Sequence, residues 1–229
     1  MIDNIISYRE MCEYENVQTL QRGMNFRLNF GYSVILMSRK NNAIYKDLIL
    51  EDWITIIYQW HDQPKVWWID TIFLDQKEFT KNWTLTENWK FISAIKKYKD
   101  WLSSFEKVKV YEKIHSWVWS FKWFFDLINY KVESDWNRFI YLYELKLSKF
   151  QDLNIQNREI DLSHNRLISS QIKKDVWKRD KGECVICWVK KNLHFDHDLP
   201  FSKWWTSLSS KNIKLLCMKC NLKKSNKIE

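Results

Sequence analysis

Two Cys-x-x-Cys pairs constrain this chain more than any other feature: Cys184-Val-Ile-Cys187 and Cys217-Met-Lys-Cys220, separated by 29 residues. Four thiolates at that spacing read as a tetrahedral zinc site, because zinc is borderline soft, takes sulfur readily and imposes no geometry of its own. Zn2+ held in this way would be structural, stapling a short segment whose own core is thin. A disulfide framework is the weaker reading. Met1 to Glu10 lacks the basic-then-apolar order of a secretion signal, and no stretch is apolar enough to span a membrane. The chain is therefore expected in the cytoplasm, away from membranes, where thiols stay reduced.

The net charge of +9 is unevenly placed. Residues 1–164 carry 22 Lys+Arg against 22 Asp+Glu, whereas residues 165–229 carry 15 against 6, so the last 65 residues hold the whole excess. A compact basic module is the electrostatic footprint of a polyanion binder, although a solvated surface has the same composition.

With 229 residues the chain can hold one large domain or two modest ones. β-Branched and aromatic runs of strand length fall at Tyr32–Met37, Ile54–Tyr58, Val108–Ile114, Phe124–Glu133 and Phe139–Leu147. One helix interrupts them: Thr86 can cap it, Glu87 suits its positive end, and Phe91, Ile95 and Tyr98 share a face. Residues 148–168 turn polar and lose periodicity, which predicts a linker. A short helix is predicted over Ser170–Arg179, with Ile172 and Val176 inward. The expected class is α+β, with a curved sheet or barrel over residues 1–147, a linker over 148–168 and a small metal-bound module over 169–229.

Between the cysteine pairs lie Leu193-His-Phe-Asp196-His197-Asp-Leu-Pro200 and Asn212-Ile-Lys-Leu-Leu216, and Asn221 follows Cys220 directly. Here the chain resembles the HNH (ββα-metal) endonuclease family, in order from Val176-Trp-Lys-Arg-Asp180 to Lys224. The resemblance implies that His197 is a general base activating water, that Asp196 and Asn221 hold a catalytic divalent ion, Mg2+ or Mn2+, and that Asn212 orients His197. These residue types suit the work: an imidazole titrates near neutrality, and a carboxylate with an amide oxygen is a hard ligand set that leaves positions open. Lys173, Lys174, Lys178, Arg179, Lys223 and Lys224 are candidate phosphate contacts on double-stranded DNA, though a solvated face explains each alone. His194, two residues before Asp196, reads as a surface or phosphate-facing residue, and His61, His115 and His164 read as structural.

A module this small carries little sequence information, so residues 1–147 are expected to choose the substrate. Gly31–Arg39, Asn42–Asp47, Ile57–Asp62, Leu85–Asn88, Val110–Ile114 and Phe121-Lys-Trp123 resemble the SRA-YDG family, a PUA-like curved-sheet domain that flips modified cytosine out of DNA. That resemblance implies that Tyr45 and Tyr58 sandwich the flipped base and Asp47 accepts from its exocyclic amine. Without it, the two tyrosines would read as ordinary strand aromatics and Asp47 as a turn residue. Together the two resemblances imply a modification-dependent restriction endonuclease acting on 5-methylcytosine or 5-hydroxymethylcytosine. One such site cuts one strand, so a homodimer is the expected form for double-strand cleavage. Two alternatives stay open at this point: an HNH nicking endonuclease of phage or mobile-element type reading unmodified DNA, and a non-catalytic zinc-dependent DNA-binding protein.

The composition contains one anomaly. Ordinary usage predicts about 16 glycines in a chain of this length, and only Gly23, Gly31 and Gly182 are present, against 15 tryptophans. Many tryptophans sit where turn chemistry favours glycine, as in Asp52-Trp53, Asp100-Trp101, Ser116-Trp117 and Asp135-Trp136-Asn137, and Trp188, Trp204 and Trp205 occupy glycine positions of the HNH pattern. The SRA-YDG match likewise improves with glycine at Trp60, Trp89, Trp117 and Trp123. The hypothesis is that about 13 tryptophans are glycines encoded by reassigned UGA codons, with Trp119 and Trp177 true tryptophans. UGG codons at Trp60, Trp123, Trp188, Trp204 and Trp205 would end it.

Overall fold

The computed structural model describes residues 3–39, 45, 47–52, 54–59, 73–134, 136, 138–148, 168–197 and 209–224. The chain is α+β, built mostly of strands, and it divides into two compact units that interleave along the sequence. One unit comprises residues 19–111 and 123–148; the other comprises residues 1–18, 112–122 and 149–229.

The first unit is an open antiparallel sheet with one helix packed on it. Its strands are β2 (Met24–Asn29), β3 (Tyr32–Met37), β4 (Leu48–Ile49), β5 (Thr55–Gln59), most of β6 (Glu106–His115) and β7 (Val118–Ser134), and β8 (Phe139–Leu147). β7 and β8 form a long hairpin, with a register shift between Leu127 and Asn129, and β8 pairs in turn with β5, placing Tyr58 opposite Tyr143. Helix α2 (Glu87–Lys99) is capped by the Thr86 hydroxyl, which accepts from Trp89 N at 3.4 Å. It buries Phe91, Ile92, Ala94 and Ile95, and the Phe91 ring lies edge-on to Phe26 and Tyr143 at 5.3 and 6.1 Å. Its C-terminus closes with paired bonds, Trp101 N to Tyr98 O at 3.0 Å and Leu102 N to Lys97 O at 2.8 Å. That pairing needs a left-handed residue after the cap, a position usually held by glycine; here it is Trp101, at φ +61°.

The second unit gathers segments from both ends of the chain. β1 (Asp3–Ser7) leads into α1 (Tyr8–Tyr14) through a capping box in which Ser7 and Glu10 serve each other's backbone N–H groups. α3 (Ser170–Arg179), β9 (Leu193–His197), β10 (Ile213–Cys217) and α4 (Met218–Lys224) follow from the C-terminal part. β9 and β10 are an antiparallel pair, and β1 pairs with β9 on one side and with the start of β7 on the other. Ile172 and Val176 of α3 pack with Phe195, Ile213, Leu215, Ile168 and Ile114. The β9–β10–α4 succession is the ββα arrangement expected from the cysteine-flanked motif.

Under α3 lies a buried charge cluster. Glu112 and Lys122 form an ion pair at 2.7 Å, Lys173 approaches the same carboxylate at 3.9 Å, and all three side chains have no exposed surface. Lys173 also donates to Ser120 Oγ at 3.0 Å and Lys122 to the Ile168 carbonyl at 3.3 Å. Burial alone would push the Glu112 carboxyl up, but Lys122 and then Lys173 outweigh it and hold it below its ordinary value. A carboxyl depressed on folding contributes stability above its unfolded pKa and loses it as pH falls through the folded one. Glu112→Ala leaves two buried ammonium groups without their counter-charge and is expected to cost about 3–5 kcal/mol, read as a lower urea midpoint at pH 7 with the difference shrinking in acid.

The strands expected at Tyr32–Met37, Ile54–Tyr58, Val108–Ile114 and Phe139–Leu147, the helix after Thr86 and the helix over Ser170–Arg179 are all present. β7 begins six residues before its expected start at Phe124, and β1, α1 and β2 are additional. The expected linker, beyond Ser148 and Ile168, lies outside the described residues.

Candidate functional site

The four cysteines converge. Their sulfurs all lie within 4.8 Å of one another, and Cys187 Sγ is 3.6 Å from both Cys217 Sγ and Cys220 Sγ. A tetrahedron of sulfurs around zinc at 2.3 Å has an edge of about 3.8 Å, so both the donors and their spacing fit one tetrahedral thiolate-bound metal ion. The first knuckle is a tight turn: Cys184 N donates to Val189 O at 2.9 Å and Trp188 N to Cys184 O at 2.8 Å, with Trp188 at φ +57°. The second spans the junction from β10 into α4, so that Cys217 ends the strand and Cys220 lies in the helix. Burial pushes the Cys184 thiol up, but backbone N–H groups of Cys217, Cys187 and Ile186 outweigh it and bring it to about 7. Burial and then the neighbouring thiols push Cys220 up to about 12. A metal resolves the conflict by taking both as thiolates.

β9 presents its residues alternately to two faces. Phe195 belongs to the core beneath α3. His194 and Asp196 therefore face the other side, where Lys224 of α4 meets Asp196 in an ion pair at 2.7 Å. Asn221 is half-buried on the same helix, one turn before Lys224. Asp196 pairs with Lys214 across the hairpin, and the backbone of His197 with Ile213; the His197 side chain lies outside the described residues. A carboxylate on a strand thus faces a helix that also carries an amide, and hard oxygen donors of this kind could hold a divalent cation.

Asn212 is buried in a 3-10 turn, Ser210–Asn212, at the entrance to β10. Arg179 anchors that turn, donating to the carbonyls of Ser210 and Ile213 at 2.6 Å each while gripping Asp180 through two further bonds at 2.6 and 2.8 Å. Asp180 in turn accepts from Leu215 N at 3.0 Å. Arg179, a candidate phosphate contact, is 42% exposed and also holds the loop that bears Asn212. Lys173, also expected at phosphate, is fully buried in the Glu112 cluster, where no phosphate can reach it. Lys178 and Lys223 are exposed, Lys174 is half-buried and Lys224 is engaged with Asp196.

His194 departs from its expected surface role. It is 7% exposed and, among the described residues, neither ring nitrogen has a hydrogen-bond partner. Burial lowers its pKa, against the opposing pull of Asp196. Polar burial of this kind leaves no mark in the sequence beyond the His-x-Asp spacing.

Residues 184–227 match the family model of the HNH endonucleases. No curated protein matches the chain. Among solved structures the chain is similar to the SRA domain of SUVH5 in complex with fully methylated CG DNA, at 16% identity, over 66% of this chain and 91% of that one, with a TM-score of 0.44. It is similar to the same domain bound to fully hydroxymethylated CG DNA, at 16% identity over 64% and 88% of the two chains and a TM-score of 0.44. A third is KRYPTONITE in complex with mCHH DNA, an H3(1-15) peptide and SAH, at 15% identity over 67% and 34% and a TM-score of 0.44. The HNH match covers both cysteine pairs, Asp196, His197, Asn212 and Asn221.

In the other unit, Asp47 and Tyr58 are buried and Tyr45 is half-buried. Asp47 accepts from Ser38 N at 3.2 Å through one carboxylate oxygen and from Gln59 N at 3.1 Å through the other. Burial, then the nearby Asp47 and Tyr45, raise the Tyr58 hydroxyl well above its ordinary pKa; the ring is 1% exposed and its hydroxyl donates to the Leu36 carbonyl at 3.5 Å. Asn41 and Asn42 lie outside the described residues, as do Trp204 and Trp205.

Proposed function

We propose that the chain is a modification-dependent DNA endonuclease: one unit reads 5-methylcytosine or 5-hydroxymethylcytosine in double-stranded DNA, and the HNH module hydrolyses phosphodiester bonds nearby. The observation that carries the nuclease reading is the meeting of Asp196 on β9 with the helix bearing Asn221 and Lys224, inside a module whose four cysteines converge. In this reading the sulfur site takes Zn2+ and is structural, while Asp196 and Asn221 hold a second, divalent ion.

His197 takes the proton from a water molecule as that water attacks phosphorus, and the bond to the 3′ oxygen breaks. An ion held by Asp196 and Asn221 would offset the charge that gathers on the phosphoryl and departing oxygens. Asn212, on the turn that Arg179 clamps, orients His197. Lys178 and Lys223, exposed on α3 and α4, meet backbone phosphates. The backbone amides of Ser38 and Gln59 give the Asp47 carboxylate a set orientation, from which it accepts the exocyclic amine of the base. Tyr45, half-buried, supplies a stacking surface that offsets the few kcal/mol of unstacking a base, while Tyr58, 1% exposed, backs the pocket from the core. Two copies of the chain would supply the two cuts of a double-strand break.

The nuclease part is tested with a labelled duplex carrying 5-methylcytosine. His197→Ala is expected to lower single-turnover cleavage at least ~100-fold without loss of zinc or DNA binding. Cleavage at the parent rate would leave a zinc-dependent DNA-binding protein as the better account.

A further inference from the structure

Among the described residues of the HNH module, His194 is the buried side chain whose nitrogens meet no hydrogen-bond partner. A neutral imidazole carries one N–H and one lone-pair nitrogen, and an apolar side chain of similar size would fill the same space without leaving either unsatisfied. The position invites a ligand from outside the chain. Its surroundings say which. His194 and Asp196 are two apart on β9 and share the face covered by α4, about 7 Å apart along the strand, close enough for both side chains to reach one ion. Asp196 is the residue that the Lys224 ammonium already touches, so a cation is accommodated on this face.

Resting on the nuclease reading above, we propose that His194 is a third protein ligand, through nitrogen, of the divalent ion held by Asp196 and Asn221. One imidazole nitrogen beside two oxygen donors shifts preference from Mg2+, which favours oxygen and retains its waters, toward Mn2+ and other first-row transition ions. The site is then a mixed nitrogen–oxygen centre. Asp196 and Asn221 alone would make it an oxygen-only one.

The experiment uses the full zinc-loaded chain and Mn2+. Pulsed electron paramagnetic resonance of bound Mn2+ should show coupling to a directly bonded 14N nucleus. In His194→Leu that coupling should vanish, the dissociation constant for Mn2+ should rise at least tenfold and that for Mg2+ should change less than threefold. The melting temperature of the variant without Mn2+ should equal or exceed that of the parent, which a structural histidine would not allow. His194→Gln gives the same spectroscopic comparison if the leucine variant does not fold, since its amide oxygen replaces the ring nitrogen. Bound Mn2+ without nitrogen coupling in the parent, or coupling that persists in both variants, would overturn the proposal and leave the nuclease reading intact. Failure of the parent to bind either ion would instead remove the Asp196–Asn221 site, and the nuclease reading with it.

Discussion

Replacing Trp83, Trp101, Trp117, Trp123, Trp136 and Trp188 together by glycine is expected to raise the melting temperature by more than about 10 °C. All six have positive φ, from +57° to +109°. A non-glycine residue held in the left-handed region costs roughly 1–2 kcal/mol, and even after the extra unfolded-state entropy of glycine a net gain of about 1 kcal/mol remains at each site. The six lie apart along the chain, Trp123 within β7 and the others in turns and loops, so their effects should nearly add, against a total stability of roughly 5–15 kcal/mol. Little packing is lost in exchange: Trp83, Trp101, Trp117, Trp136 and Trp188 are each 68% exposed or more. Trp119 and Trp177, without positive φ, serve as controls; one is buried and the other packs against the core of the HNH module, and their glycine variants should be destabilised. Differential scanning calorimetry of the sixfold variant decides the matter, and an unchanged or lower transition would mean that the indoles make contacts worth more than the strain.

The same six positions bear on what the native chain is. Turn chemistry singled out Trp101, Trp117 and Trp136, and the two family resemblances singled out Trp188 and Trp123. Trp83 was picked out by neither. Trp89 breaks the pattern, since it lies in the first turn of α2, where no left-handed conformation is needed. Among the described residues its buried indole N–H nevertheless meets no hydrogen-bond partner, an arrangement a glycine would avoid. The conformations therefore support reading most of these tryptophans as glycine in the source, and the mass of the protein isolated from that source would differ accordingly.

Removing the metal from the four-cysteine site is expected to unfold the HNH module and abolish DNA cleavage at every Mg2+ or Mn2+ concentration. Among the described residues the module has two short strands and two short helices, and one of its clusters consists of Cys184, Cys217 and Cys220 with Leu193 and Leu216, against which Ile5 and Trp177 pack. A core that thin contributes little by itself, whereas zinc bound by four thiolates contributes on the order of 10–16 kcal/mol in small zinc-bound peptides at neutral pH. Cys220→Ser, or a strong zinc chelator, should abolish the slow-exchanging amides of β9, β10 and α4. The strands β3, β5 and β8 of the other unit should keep theirs. Affinity for the metal should fall with pH, since protons compete for the sulfurs. Retained amide protection in β9 and β10 after complete metal loss would show that the hydrophobic contacts suffice.

What the sequence disclosed followed from how local each signal was. Strand β3 and helices α2 and α3 were legible to the residue or nearly so, because their apolar periods, and for α2 the cap at Thr86, are local to each element. The metal site was legible because ligand spacing is a covalent property of the chain. β1 was not: five residues with two adjacent isoleucines carry no period, and the strand is defined by partners more than 100 residues away, Phe121 and Phe195. The fates of Lys173 and Arg179 were hidden for the same reason. A lysine reads as a surface residue until its partner Glu112 is placed beside it, and an arginine beside an aspartate reads as mere charge until the loop it holds is folded.

The measurement closest to the centre of the account is cleavage of three otherwise identical plasmids, bearing cytosine, 5-methylcytosine or 5-hydroxymethylcytosine, by the zinc-loaded protein with Mg2+ or Mn2+. The account predicts that at least one modified plasmid is cut while the unmodified one survives, and that Asp47→Ala loses the discrimination without losing the zinc site. Equal cutting of all three would contradict it and mark the chain as a nuclease that reads unmodified DNA.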